Sequence, residues 1–249
     1  MCGIFGILIQ RGDVRDKILD GLKQLQNRGY DSCGMGLLEG GKFIIKKYAQ
    51  DIPKNISALD ELRINSKKLK NEYTIGIGHN RWATHGEKSD KNAHPHISNN
   101  GNFIIVHNGI IENYSIIKRR LIEKENYIFT SQTDTEVIVA LLEYHYNRNR
   151  NTTYAISKTI DELVGTYGLV IMNRLEPEKM YCVRNGSPIL VGLTDETCII
   201  TSEQSGFCNH MNTYITLEND DICCISRDKM GIHLDTDKNY KKRNLTIGK

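Results

Sequence analysis

The chain opens Met1-Cys2-Gly3-Ile4-Phe5-Gly6-Ile7. A cysteine directly behind the initiator methionine becomes the first residue once that methionine is trimmed, and a thiol and a free α-amine then belong to one residue. A free thiol titrates near ~8.5 and an α-amine near ~8, so a nucleophile and a base sit together close to neutrality. This is the cysteine counterpart of the threonine and N-terminal amine pairing of covalent catalysis. Such a residue suits amide cleavage if others supply an oxyanion site and a substrate clamp. The competing reading is a buried core thiol, the usual fate of a free cysteine.

Downstream residues supply candidates for both needs. Asn108 and Gly109 end an apolar run, and there a side-chain amide and a backbone N–H can converge on one oxyanion. The same dipeptide is also an ordinary turn. Arg81 offers a planar fork for a carboxylate, and Asp134, in the first turn of a helix, offers a counter-charge for an ammonium. Together they describe a zwitterionic amino acid as ligand; separately they read as a surface ion pair and a complement to a helix dipole. His79, His85, His94, His96 and His107 raise a rival reading as a metal-binding module, without a supporting carboxylate or cysteine pattern. Neither a metal nor a cofactor is expected.

These residues need elements to hold them. The apolar run behind Cys2 predicts a buried strand. Val14, Ile18, Leu22 and Leu25 recur at helical spacing behind Asp13 as N-cap. Residues 33–38 and 42–48, separated by Glu39-Gly40-Gly41, predict a β-hairpin. Ile56, Leu59, Leu62 and Leu69 suggest a weaker helix, and the alternation of Tyr73, Ile75 and Ile77 predicts a half-buried strand. Residues 80–101 carry the only tryptophan and three histidines without a lasting period, which marks a functional loop. A strand over 102–107 and a helix over 115–125 follow. Thr133 and Glu136 then form a capping box that opens a long helix, with a further helix over 155–163. The runs 167–172, 180–183, 189–191, 198–201 and 222–225 are strands. The expectation is an α+β fold with layers around one core.

Composition narrows the function classes. A net charge of +3, dispersed over short basic clusters without interleaved aromatics, argues against nucleic acid as the main ligand. The first apolar run has no basic residue before it and is too short to span a membrane, so no membrane association is expected. Seven cysteines without framework spacing and without a C-x-x-C suit reduced thiols in a cytoplasmic protein.

Six motifs in order then make the chain recognisable. Cys2-Gly3-Ile4-Phe5-Gly6, Arg28-Gly29-Tyr30-Asp31-Ser32, His79-Asn80-Arg81-Trp82-Ala83-Thr84-His85-Gly86, Asn92-Ala93-His94-Pro95-His96, His107-Asn108-Gly109-Ile110-Ile111-Glu112-Asn113 and Thr133-Asp134-Thr135-Glu136 together resemble the class II glutamine amidotransferases. Within them the chain looks most like the glutaminase half of the enzymes that make glucosamine 6-phosphate. The resemblance implies an N-terminal-nucleophile hydrolase fold, a four-layer αββα sandwich of mainly antiparallel sheets. It implies that Cys2 attacks the side-chain amide of L-glutamine to give a glutamyl thioester and ammonia. Arg81 would bind the substrate α-carboxylate and Asp134 its α-amino group, with Asn108 and Gly109 stabilising the oxyanion. Thr84 and His85 would line the glutamine site, and Trp82 would belong to a loop that closes over it. Two departures stand out. Cys33 occupies a position where alanine is usual and is expected only to pack. Residues 2–249 would form a single glutaminase domain, whereas the family's full enzyme adds sugar-isomerase domains that bind fructose 6-phosphate. An acceptor subunit and a homo-oligomer are left open, as are a free-standing glutaminase feeding another acceptor and a non-catalytic regulatory relative.

Overall fold

The computed structural model describes residues 2–28, 31–83, 86–236, 240 and 242–245. β1 (Gly3–Ile9) is the strand expected behind Cys2, and all its residues are buried. Alternation divides its side chains between two cores, Ile4 and Leu8 on one side and Phe5, Ile7 and Ile9 on the other. α1 (Arg15–Gln24) follows, with Val14 at the N-cap. Asp13, expected there, stands one residue earlier and accepts the Arg15 N–H at 3.1 Å. β2 (Ser32–Glu39) and β3 (Lys42–Ala49) form the antiparallel hairpin, turning at Gly40 and Gly41. α2 (Ala58–Ser66) is capped by Ser57, whose hydroxyl accepts the Asp60 N–H at 3.0 Å.

β4 (Ile75–Arg81) departs from expectation, because both of its faces are buried. A Cβ on Gly76 or Gly78 would come within 2.8 or 2.7 Å of Ile18 on α1. The small residues that read as a solvent face are a close helix contact.

The following stretch is irregular, with a 3₁₀ turn (Asp90–Asn92) and a short β5 (His96–Ile97), before β6 (Phe103–Asn108). Three helices come next: α3 (Tyr114–Glu125), α4 (Asp134–Asn149) and α5 (Thr152–Glu162). Thr133 caps α4 and accepts the Glu136 N–H at 3.4 Å. The reciprocal half of the capping box does not form. The Ser131 hydroxyl takes the Thr133 N–H at 3.3 Å, and Glu136 turns to the N–H groups of Thr130 (2.8 Å) and Ser131 (2.6 Å).

The remaining strands are β7 (Tyr167–Asn173), β8 (Lys179–Asn185), β9 (Leu190–Leu193), β10 (Thr197–Thr201), β11 (Thr213–Thr216), β12 (Cys223–Asp228), β13 (Gly231–Asp235) and β14 (Arg243–Asn244). They complete two sheets, one ordered β14-β11-β9-β10-β1-β4-β2-β3 and one ordered β13-β12-β8-β7-β6-β5. Every ladder between these strands is antiparallel. The sheets pack face to face through Ile4, Leu8, Ile77, Ile104, Val106 and Val170. α1 and α2 cover the outer face of the first sheet. α4 and α5 cover the second, with α3 packed on α4. The layers run α, β, β, α, as expected. Fully burying each such aliphatic or aromatic side chain stabilises the fold by about 1.5–3 kcal/mol. Among the described residues no helix is long and apolar enough to cross a membrane.

Candidate active site

Side chains alternate along a strand with a period of two, and that period assembles the site. On β1 the even positions, Ile4 and Leu8, face the second sheet, so Cys2 lies on the same side just beyond the strand's end. On β4 the odd positions do so: Ile75 and Ile77 enter the inter-sheet core, and His79 and Arg81 continue the series outward. On β6 the series is Ile104, Val106 and Asn108. Gly3 pairs with Asn80 across the β1–β4 ladder, which brings Cys2 level with Arg81. Cys2, Arg81 and Asn108 therefore converge at one open end of the crevice between the sheets. Asp134, the first residue of α4, closes the group. Cys2, Arg81, Trp82, Gly109 and Asp134 line one narrow space of about 20 Å³.

Cys2 is held by backbone. The Trp82 N–H donates to Cys2 Sγ at 3.2 Å, and the thiol reaches the Trp82 carbonyl at 3.6 Å. Burial pushes the Cys2 thiol above its ordinary range; the Trp82 N–H and the Arg81 charge work in the other direction, and the Asp134 charge adds to the rise. A donor N–H and a guanidinium next to sulfur favour the thiolate.

Asn108 is fixed at both ends of its carboxamide. Its Nδ2 donates to the Cys2 carbonyl at 2.8 Å, and its Oδ1 lies 3.0 Å from His79 Nε2. A carboxamide nitrogen carries two N–H bonds, so one remains for an oxyanion. Gly109 has φ +124°, and a Cβ there would fall 2.1 Å from the Thr166 carbonyl oxygen. Only glycine fits this turn, and Gly109 also lines the pocket beside Cys2.

The two charged residues beside Cys2 are buried. Arg81 is only 4% exposed and Asp134 6%. Burial disfavours the Arg81 charge, with Cys2, Asp31 and Asp134 opposing that loss. Arg81 Nη1 donates to the Glu87 carbonyl at 3.4 Å, and Asp134 Oδ2 accepts the Ile111 N–H at 2.8 Å. The Asp134 contact orients the carboxylate at the helix N-terminus, where negative charge is favoured. The Trp82 side chain is 46% exposed at the rim. Thr84 and His85 lie outside the described residues.

Other residues proved structurally important without being singled out for a role. Asp31 accepts the Ala83 N–H at 2.9 Å and pairs with Lys88 at 2.6 Å, bridging the loop that follows Arg81. Burial would raise the Asp31 carboxyl, but Lys88 and the Ala83 N–H outweigh it and hold it below the usual range. Lys47 Nζ donates to the carbonyls of Ala93 (2.8 Å) and Pro95 (3.1 Å), which pins the segment carrying His94. Burial pulls this ammonium down to about 8.

Four of the five histidines of the rival reading lie among the described residues, and each has contacts of its own. His79 and His94 stack face to face, 4.0 Å between centroids and 7° apart. His94 Nδ1 accepts the His107 N–H at 3.3 Å, and His96 Nε2 meets Thr133 Oγ1 at 2.9 Å. His107 meets Thr135 Oγ1 at 2.9 Å and the Thr166 carbonyl at 3.2 Å. Among the described residues no group of three or more His, Cys, Asp or Glu is placed to hold a metal ion.

An αββα sandwich with a cysteine at the crevice mouth defines an N-terminal-nucleophile hydrolase of the class II amidotransferase type. The family model described as "Glutamine amidotransferase domain" matches residues 79–209. The chain belongs to that family, and it is an enzyme of the class II glutamine amidotransferase kind. It is 37% identical over 98% of its length to glutamine–fructose-6-phosphate aminotransferase [isomerizing] of Chlorobaculum tepidum, covering 39% of that protein. It is 42% identical over 93% of its length to the protein of that name from Buchnera aphidicola subsp. Baizongia pistaciae, covering 37% of it. The chain thus spans roughly two-fifths of the length of these curated relatives, and it resembles their glutaminase part. Among solved structures, the phosphoribosylpyrophosphate amidotransferase of B. subtilis, complexed with ADP and GMP, superposes with a TM-score of 0.76 at 24% identity. That match covers 94% of this chain and 49% of the other. A glutamine aminotransferase class-II domain protein from Silicibacter pomeroyi superposes with a TM-score of 0.62 at 11% identity, covering 96% of this chain and all of the other. These two likenesses establish the fold.

Proposed function

We propose that residues 2–249 act as one glutaminase domain, hydrolysing L-glutamine to glutamate and ammonia through a thioester on Cys2. The observation that carries this reading is the Trp82 N–H at 3.2 Å from Cys2 Sγ, in a pocket that also holds Arg81 and Asp134. Removal of Met1 frees the Cys2 α-amine, which takes the thiol proton, with a water between them. The sulfur then attacks the side-chain carbonyl carbon of glutamine. The resulting oxyanion accepts the second Asn108 N–H and the Gly109 N–H, each such donor being worth about 10²–10³ in kcat. The leaving nitrogen takes the proton from the amine and departs as ammonia. Water then opens the thioester, regenerating the thiol and releasing glutamate.

Arg81 receives the α-carboxylate in its planar fork, and Asp134 the α-ammonium. Both are buried, so a substrate lacking either charge would forfeit a charge-assisted contact made away from bulk water. Thr84 and His85 line the glutamine site on the strength of the family resemblance. On the same resemblance, the loop carrying Trp82 closes over bound glutamine and excludes water from the thioester.

The names of the curated relatives support a finer reading: the ammonia serves a sugar-isomerase unit that binds fructose 6-phosphate, in amino-sugar synthesis. A cytoplasmic, reducing setting suits a free nucleophilic thiol. The test is to assay purified protein for glutamate from glutamine, and for glucosamine 6-phosphate with and without a supplied isomerase chain. Glutamate release that needs Cys2 supports the glutaminase reading. Failure to make amino sugar with the isomerase present would remove only the finer one.

A further inference from the structure

His79 is completely buried and lies on the first sheet, whereas Asn108 lies on the second. Its Nε2 is 3.0 Å from the His107 carbonyl oxygen and 3.0 Å from Asn108 Oδ1. A carbonyl only accepts, so Nε2 must carry the proton. Nδ1 meets no hydrogen-bond partner among the described residues, and burial pushes the ring's pKa down to about 3. The ring is therefore a neutral Nε2–H tautomer whose one proton serves two oxygens. The stacked His94 ring braces it, and His94 is itself tied to β6 through the His107 N–H.

We infer that His79 is a positioning residue for the oxyanion site: its Nε2–H holds Asn108 Oδ1, so that the amide N–H bonds face the carbon attacked by Cys2. A flipped Asn108 would set Oδ1 against the Cys2 carbonyl, now 2.8 Å from Nδ2, and would offer a lone pair to the developing oxyanion. The contact also crosses between the sheets, one of which carries the nucleophile and the other the oxyanion donor. This inference rests on the glutaminase reading of Cys2 and Asn108.

The test compares His79→Gln, whose amide nitrogen reaches the place of Nε2, with His79→Asn, whose nitrogen reaches only as far as Nδ1. Both are polar amides, so burial affects them alike, and only reach differs. His79→Gln is expected to keep kcat for glutamate release within about threefold. His79→Asn is expected to lose ten- to a hundredfold in kcat, part of the ~10²–10³ that a lost oxyanion donor costs. KM for glutamine and the rate of Cys2 alkylation by iodoacetamide should stay within about threefold in both. Adding Asn108→Ala to His79→Asn should cost nothing beyond Asn108→Ala alone, because the histidine acts through that amide. Equal kcat in the Gln and Asn variants, or losses that multiply in the double variant, would overturn the assignment. Nitrogen-15 spectra of the unaltered chain at pH 7 should show His79 protonated at Nε2 alone, and a proton on Nδ1 would also overturn it. If the unaltered chain released no glutamate, the glutaminase reading would fall, while the spectra would still decide the contact.

Discussion

Cys2 and Cys198 sit by neighbouring strands of one sheet, β1 and β10, yet their sulfurs meet opposite surroundings. Cys198 pairs with Leu8 and is 1% exposed in the inter-sheet core, where burial pushes its thiol well above the ordinary range. Cys182 and Cys223 face each other across the β8–β12 ladder in the same core. Cys2 is buried in part too, but it sits at the sheet's open end, with the Trp82 N–H and the Arg81 charge on its sulfur. A sheet interior surrounds a thiol with hydrocarbon, and a strand end can surround it with backbone N–H groups and charge. Burial dominates at the Cys198 sulfur, whereas Cys2 adds an N–H donor and a guanidinium, the setting that favours a thiolate.

The sharpest way to break this contrast is to exchange the sulfurs one at a time. Cys2→Ala is expected to abolish glutamate release while leaving the urea midpoint within experimental error of the parent, read by circular dichroism. Substantial glutamate production by that variant would dissolve the distinction between the two environments.

Weaker effects should come from the clamp. Asp134→Asn keeps the acceptor for the Ile111 N–H and removes the charge, so it should raise KM for glutamine by about 30- to 150-fold. That factor corresponds to the roughly 2–3 kcal/mol of a charge-assisted hydrogen bond. Arg81→Lys should raise KM by about tenfold or more, since an ammonium cannot give a planar bidentate fork. Both are checked by steady-state glutamate assays, and an unchanged KM would remove the zwitterion clamp.

The histidines give an effect on stability. His79, His94, His96 and His107 are buried and held neutral, with burial as the leading cause in each. Between the unfolded value near 6.5 and the folded values below it, the unfolded chain binds more protons than the folded one. Stability must then fall as pH drops below ~6.5, by up to about 1.4 kcal/mol per pH unit for each histidine. For His79 the window extends to about 3. Urea unfolding at pH 7 and pH 5 checks the sign; equal stability at the two would contradict neutral burial.

The smallest effect belongs to the interior thiols. Cys198→Ala should cost about 1 kcal/mol of stability, as a small buried truncation does, and should leave kcat unchanged.

Much of this arrangement was legible in the sequence. The run behind Cys2, the Gly40-Gly41 hairpin and the Thr133 cap each rest on local chemistry, and each element formed. The strands β5, β11, β13 and β14 did not stand out, because short ladders at or near sheet edges carry little apolar alternation of their own. The second buried face of β4 is not legible because glycine signals solvent and tight contact alike, and Ile18, Leu22 and Leu37 decide between them. Arg81, Asp134, Asn108 and Gly109 were chosen by the fit of their chemistry to an amino acid together with the family motifs. The fold adds why they meet, through strand parity. The work of His79 stayed hidden, since the sequence showed five histidines suited to a metal. The ring partners of His79, Asn108 Oδ1 and the His107 carbonyl, come from a different sheet.

The most direct measurement is mass spectrometry of protein that is actively releasing glutamate, after treatment with a glutamine-mimicking electrophile. One adduct is expected, on Cys2, in a peptide that begins with that cysteine and carries a free α-amine, with the other six thiols unmodified. Active protein that retains Met1, or an adduct on any other cysteine, would contradict the assignment of Cys2 as the N-terminal nucleophile.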